Sequence, residues 1–200
     1  MRSIALCCAF LMVCAQAGGA QETRIPSHIV ESIKDVLAQD VVIRSIAAQN
    51  RRYGHLELNQ IETLDQQWRA EREAVEQPLI AMTLSNPLSN FLTRVQANSF
   101  GLYTAVFVTD QNGLNVGQSA ITGDFWQGDE AKFQKTFEVG PDAVFIDAPE
   151  AFEDIGVMIS QVNVTVKDPE TGTPIGAATF DVNLHEILRR WPVSTAATVN

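Results

Sequence analysis

Residues 123–130, Gly-Asp-Phe-Trp-Gln-Gly-Asp-Glu, bring two aromatics, three carboxylates, an amide and two glycines into eight positions. Aromatic walls beside a few polar groups are what a small-ligand pocket needs. Trp126 and Phe125 either line such a pocket or plug the core, because aromatics dominate both settings. Asp124 either caps the helix that follows or faces a ligand. Asp129 and Glu130 open that helix, where carboxylates also favour the helix dipole.

A second set of polar residues falls on strand-like segments. Side chains alternate along a strand, so Phe180, Val182 and Leu184 share one face and Ile175, Ala177, Thr179 and Asp181 share the other. A carboxylate following small residues on a strand face leaves room for a guest, or else ends the buried section and meets water. Asp147 ends its own strand in the same way. Asn115, Gln118 and Thr122 flank the second strand of a hairpin and add hydrogen-bonding groups.

Charge narrows the ligand chemistry. Residues 101–188 carry three lysines and no arginine against 14 carboxylates. A ligand carboxylate is best matched by a guanidinium fork; the sheet region has none, and Arg94 lies in the preceding helix. Asp147, Asp181 and Trp126 suit an amine or another cation, through ion pairing and cation–π contact. A zwitterion needs Arg94 or backbone amides to complete its site.

Other chemistries lack their residues. His28, His55 and His185 are far apart, and no nucleophile elbow, His-Glu-x-x-His run or phosphate loop occurs, so no catalytic residue and no cofactor are expected. Asp110 and Asn112, or Asp124, Asp129 and Glu130, offer oxygen to calcium but miss the spacing of a calcium loop. The formal net charge of −10 repels nucleic acid.

Residues 1–20 read as an export signal. Arg2 precedes a short apolar run, Ile4 to Val13, and small residues allow cleavage after Ala17 or Ala20. Cys7, Cys8 and Cys14 all fall inside it, which leaves the rest without a disulfide or thiol nucleophile. No later apolar run reaches membrane-spanning length. A periplasmic or secreted protein is expected, held together by its own core.

The elements that must position these groups follow from periodicity. Residues 27–49 and 57–76 predict two helices, the first through Ile29, Ile33, Val36, Leu37, Ile43 and Ala47. The second carries a narrow seam, Ile61, Leu64, Trp68 and Val75, that packs along the domain or pairs with a second subunit. Asn86-Pro87 starts a third helix. From Gly101 the texture turns to strands: 102–109, a tight turn at 110–113, 114–120, then a short helix over 129–138, and strands at 143–147, 157–167 and 175–184. A short helix from His185 ends at Trp191-Pro192. Helices first and hairpins after imply α+β architecture with a mostly antiparallel sheet. The segments divide as 1–20 signal, 21–100 helical region, 101–192 sheet region forming one globular domain with it, and 193–200 tail.

The segments GLYTAVFVTDQNGLNVGQS, GDFWQGDEAKFQKTF and VKDPETGTPIGAATFDVNL, behind a long N-terminal helix, resemble an extracellular Cache-type sensor domain. The resemblance covers roughly residues 27–188. It implies a PAS-like fold, with a long helix behind a five- or six-stranded antiparallel sheet and a small-molecule cavity on one sheet face. It makes Asp181 the first choice for a ligand contact. Such domains usually sit between two membrane helices, so this chain resembles a solitary exported form whose occupancy a separate membrane kinase or receptor reads. The other open reading is a structural or interaction protein, dimerising through its N-terminal helices.

Overall fold

The computed structural model describes residues 25–153 and 156–192. The expected signal at 1–20 and tail at 193–200 lie outside those residues.

Helix α1 (Ser27–Leu37) buries Ile29, Ile33 and Leu37, each four residues from the last. The next buried residues, Val42 and Ile46, belong to α2 (Asp40–Tyr53). Leu37 to Val42 is a step of five, which in one continuous helix would swing the stripe by about 140°. The chain instead leaves the helix, with Gln39 extended at φ −69° and ψ 139°, and restarts. The single helix predicted over 27–49 is therefore two.

Helix α3 (Leu58–Arg72) is shorter than predicted, and Val75 lies beyond it, fully exposed. Helix α4 (Pro78–Leu84) was not predicted. Pro78 removes one orphan N–H from its first turn. The buried carboxylate of Glu71 takes two more, from Leu79 at 2.7 Å and Ile80 at 3.0 Å. Helix α5 (Pro87–Asn98) starts where the sequence says, with Ser89 N–H donating to the Asn86 side chain at 2.8 Å.

The strands are β1 (Tyr103–Thr109), β2 (Asn115–Gln118), β3 (Val144–Ile146), β4 (Glu150–Phe152), β5 (Val157–Lys167) and β6 (Pro174–Asn183). They form one sheet in the order β2-β1-β6-β5-β3, every pair antiparallel. Strand β4 pairs with β5 near Ile159 and β3 pairs with it near Val164. The two are one interrupted edge strand, broken at Ala148-Pro149. Two short helices complete the α+β fold: α6 (Ala131–Gln134), only four residues of the predicted 129–138, and α7 (Leu184–Arg190).

The sheet has one apolar and one polar face. Val106, Val108, Val162, Val164, Phe180 and Val182 pack under α1, α2 and α5 in the main core. A β-bulge at Thr104 shifts the pleat by one residue. Tyr103 thereby joins Val106 on the apolar face, while Ala105 falls opposite Asp181 on the other. That other face carries Asn163 and Thr179, both buried and bonded to each other, Gln161 and Asp181. A smaller core of Trp68, Phe125, Leu114, Ile61, Leu79 and Ile80 ties α3 and α4 to the β1–β2 hairpin.

His28, at the start of α1, meets Trp191, just past α7, edge to face with ring centroids 4.7 Å apart. Among the described residues no helix is long and apolar enough to cross a membrane.

Candidate functional site

The register places Ala105, Asp181 and Gln161 side by side on β1, β6 and β5. Over this line lies a cavity of about 380 Å3, closed by the 120–124 loop, by Glu130 and Lys132, and by Phe152. A larger cavity of about 450 Å3 lies between the end of α1 and the end of β5. Its floor is aliphatic and an ion pair, Lys167–Asp142 at 2.6 Å, stands at its rim. None of the candidate site residues from the sequence lines that one, and the smaller cavity holds the concentration of polar groups.

Asp181 is the centre of the smaller cavity. Gln161 Nε2 donates to its Oδ1 at 2.9 Å, and its other oxygen receives no hydrogen bond from the described residues. Burial pushes its carboxyl above the usual carboxylate range, while the Gln161 bond and the nearby Lys132 charge pull the other way. Lys132 is an unforeseen cation in the site. Its Nζ lies 2.9 Å from Glu130 and 5.5 Å from the centre of the Phe107 ring.

The 122–126 loop is held from one face of α3. Trp68 Nε1 donates to the Thr122 carbonyl at 3.0 Å, and Arg72 donates to that of Gly123 at 3.2 Å. The N–H groups of Phe125 and Trp126 donate to Asp65 at 2.9 and 3.1 Å. Arg69 bridges Asp65 at 2.8 Å and Asp124 at 3.0 Å. Residues 65, 68, 69 and 72 share one helix face because they are three or four apart.

The candidates from the sequence therefore separate. Asp181, Asp124 and Thr122 line the cavity. Asn115 and Gln118 are fully buried beneath the loop. Asn115 Nδ2 donates to Thr122 Oγ1 at 2.8 Å and to the Asp124 carbonyl at 3.0 Å, so it supports the cavity wall from behind. Asn115 Oδ1 and Gln118 Nε2 have no partner among the described residues.

The two aromatics are elsewhere. Phe125 is 1% exposed and stacks on Trp68 at 5.2 Å, inside the smaller core. Trp126 donates its indole N–H to the Asn112 carbonyl at 3.0 Å and lies flat against Gly128. Gly113 there has φ +78°, and a Cβ on it would meet the Gly128 backbone at 2.7 Å. The glycines make room for the indole and the turn, not for a guest.

Asp147 accepts from the neighbouring Ala148 N–H and does not line the cavity, Asp129 is exposed outside it, and Arg94 is exposed on α5, across the sheet. Asp110 and Asn112 are engaged by their own turn and by the α2 end, where Gln49 donates to Asp110 at 3.0 Å, Leu56 N–H donates to Asn112 at 3.2 Å and Asn112 donates to the Gly54 carbonyl at 2.9 Å. Asp110 accepts from the N–H groups of Asn112 and Leu114 at 2.8 and 3.0 Å.

Gln161, Lys132 and Arg69 were not singled out from the sequence. Lys132 had a signal, being one of three basic residues in 101–188 and next to the aromatic loop. Gln161 and Arg69 had none, since only sheet register and helix packing bring them in.

No family model matches the chain, and no curated protein matches it. Among solved structures, it is similar to the sensory domain of the Campylobacter jejuni chemoreceptor Tlp3 (CcmL), at 13% identity and a TM-score of 0.41, over 82% of this chain and 64% of that one. It is similar to the ligand-binding domain of the Pseudomonas aeruginosa chemoreceptor PctC in complex with GABA, at 14% identity and a TM-score of 0.38, over 81% and 62%. A third is the ligand-binding domain of the Pseudomonas fluorescens chemoreceptor CtaA in complex with L-alanine, at 11% identity and a TM-score of 0.38, over 82% and 61%. The chain spans less than two thirds of the length of these structures.

Proposed function

We propose that this protein is an exported sensor module of Cache type, binding a small polar molecule and catalysing nothing. The ligand, an amine or amino-acid-like compound, fills the cavity between the sheet and the 120–124 loop. A separate membrane kinase or receptor reads its occupancy, in the periplasm or outside the cell, and the module acts as a monomer or a homodimer. The observation that carries this reading is Asp181, a carboxylate held by Gln161 at 2.9 Å on the floor of a partly open cavity of ligand size, with one oxygen that receives no hydrogen bond from the described residues. Asp181 is half-buried, and a cationic guest supplies a partner for its unused oxygen in place of solvent.

Native mass spectrometry of protein purified from its host tests this directly. A retained small molecule, lost in Asp181→Ala, supports the reading. An empty protein that no polar small molecule stabilises in a thermal-shift screen sinks it, and the same spectra count the subunits.

A further inference from the structure

The hydrogen-bonding inventory of the cavity is one-sided. Each uncharged side-chain donor group on its wall makes a hydrogen bond inside the protein. Gln161 Nε2 donates to Asp181 at 2.9 Å. Thr104 Oγ1 donates to the Asp181 carbonyl at 3.3 Å. Thr122 Oγ1 and Gln127 Nε2 both donate to the Asp124 carbonyl, at 2.7 and 3.0 Å.

The cation on the wall, Lys132, and the one behind Asp124, Arg69, are both ion-paired. Lys132 is paired with Glu130 at 2.9 Å and Arg69 with Asp124 at 3.0 Å. The acceptors are in surplus. One carboxylate oxygen each of Asp181, Asp124 and Glu130 receives no hydrogen bond from the described residues, and neither does Gln161 Oε1. A wall of this kind wants a guest that brings N–H donors and positive charge and offers no carboxylate of its own. Three carboxylates, Asp124, Glu130 and Asp181, line the cavity against one cation, Lys132, so the wall is net acidic, and of the three only Asp181 has no cation among the described residues within ion-pair distance.

The apolar part of the guest has a place too. Ile121 and Phe152, 49% and 39% exposed, stand at the mouth, with Ala105 and Phe107 on the sheet side.

We infer that the ligand is a primary amine with a small apolar body, its ammonium between Asp181 and Gln161, rather than an α-amino acid. This rests on the sensor reading above and narrows it. Arg69 is then a specificity-determining residue. By holding Asp124 it keeps the cavity selective for one positive charge rather than two.

Three compounds with one branched carbon body separate the outcomes: isobutylamine, L-valine and isovalerate. Titrated calorimetrically into the full-length exported protein, with a series from methylamine to phenethylamine beside them, amines are expected to bind at least tenfold more tightly than valine, and isovalerate not at all. Asp181→Asn should cost the amine tenfold or more without lowering the melting temperature. Arg69→Gln should raise the affinity for a diamine, putrescine, relative to the monoamine. Valine binding as tightly as the amine, and weakened by Lys132→Gln, overturns the inference and leaves the sensor reading standing. Silence of every amine at millimolar concentration overturns it too, and if no other polar compound stabilises the protein, the sensor reading goes with it.

Discussion

Asp65 holds Phe125. Its carboxylate, 6% exposed on α3, accepts the backbone N–H of Phe125 at 2.9 Å and that of the next residue at 3.1 Å. The aromatic loop that stands out in the sequence is thus anchored to a helix sixty positions earlier. Replacing Asp65 by Ala strands two buried N–H groups and removes the inner partner of Arg69. The expected cost is about 3 kcal/mol, measured as a drop in the urea midpoint at unchanged slope. Asp65→Asn keeps an acceptor oxygen and should cost about half of that.

The titration of Asp181 predicts an opposite sign. Its pKa is raised in the folded protein, chiefly by burial. The folded state therefore holds its proton to higher pH than the unfolded chain does. Stability contributed by this residue is full below the unfolded value and falls as pH rises through the raised one. Asp181→Asn removes that penalty, so the variant should melt higher than the parent at pH 7.5 and no higher at pH 3. Binding of a cation runs the other way, weakening as Asp181 takes up its proton. Lys132, Glu130, Asp124 and Glu150 share its surroundings and belong in the fit. Equal melting of the two proteins at both pH values would count against this account of the cavity.

Trp126 offers a contrast. Trp126→Phe loses the hydrogen bond to the Asn112 carbonyl and little of the packing, with an expected loss of about 1 kcal/mol. Because the indole does not line the cavity, ligand affinity should stay within twofold of the parent, read by calorimetry. A large loss of affinity with intact stability would place the indole in the site after all.

Gly176 tests the sheet that carries Asp181. A Cβ at this position would collide with the carbonyl oxygen of Thr109 on the neighbouring strand. That oxygen belongs to the backbone and cannot step aside as a side chain does. Gly176→Ala should cost about 3 kcal/mol or more. Gly117→Ala meets only the side chain of Leu88, at 2.7 Å, and should cost about 1–2 kcal/mol. Denaturation midpoints of the pair check the ordering.

How much was legible in the sequence depends on how far each signal reached along the chain. Strand β5 has the predicted bounds because its alternation of valines is local and long. The α5 start was readable because Asn86-Pro87 is a cap and a first turn in two residues. The break between α1 and α2 was written in the step from Leu37 to Val42, and a periodicity read over too wide a window smoothed it away. Helix α4 is apolar but for Thr83 and only seven residues long, so it shows no polar face against an apolar one. Its one local mark was Pro78, and the group that satisfies it, Glu71, sits on another helix. In the site, Asp181 was legible through strand alternation and the family resemblance. The places of Trp126 and Phe125 were not, because composition tells that an aromatic is buried but not on which side of a loop. Gln161 entered only through the pairing of β5 with β6.

The contact between His28 and Trp191 brings the two extremities of the described fold to a single corner. A host protein could therefore receive the whole module in one surface loop without its own strands being pried apart.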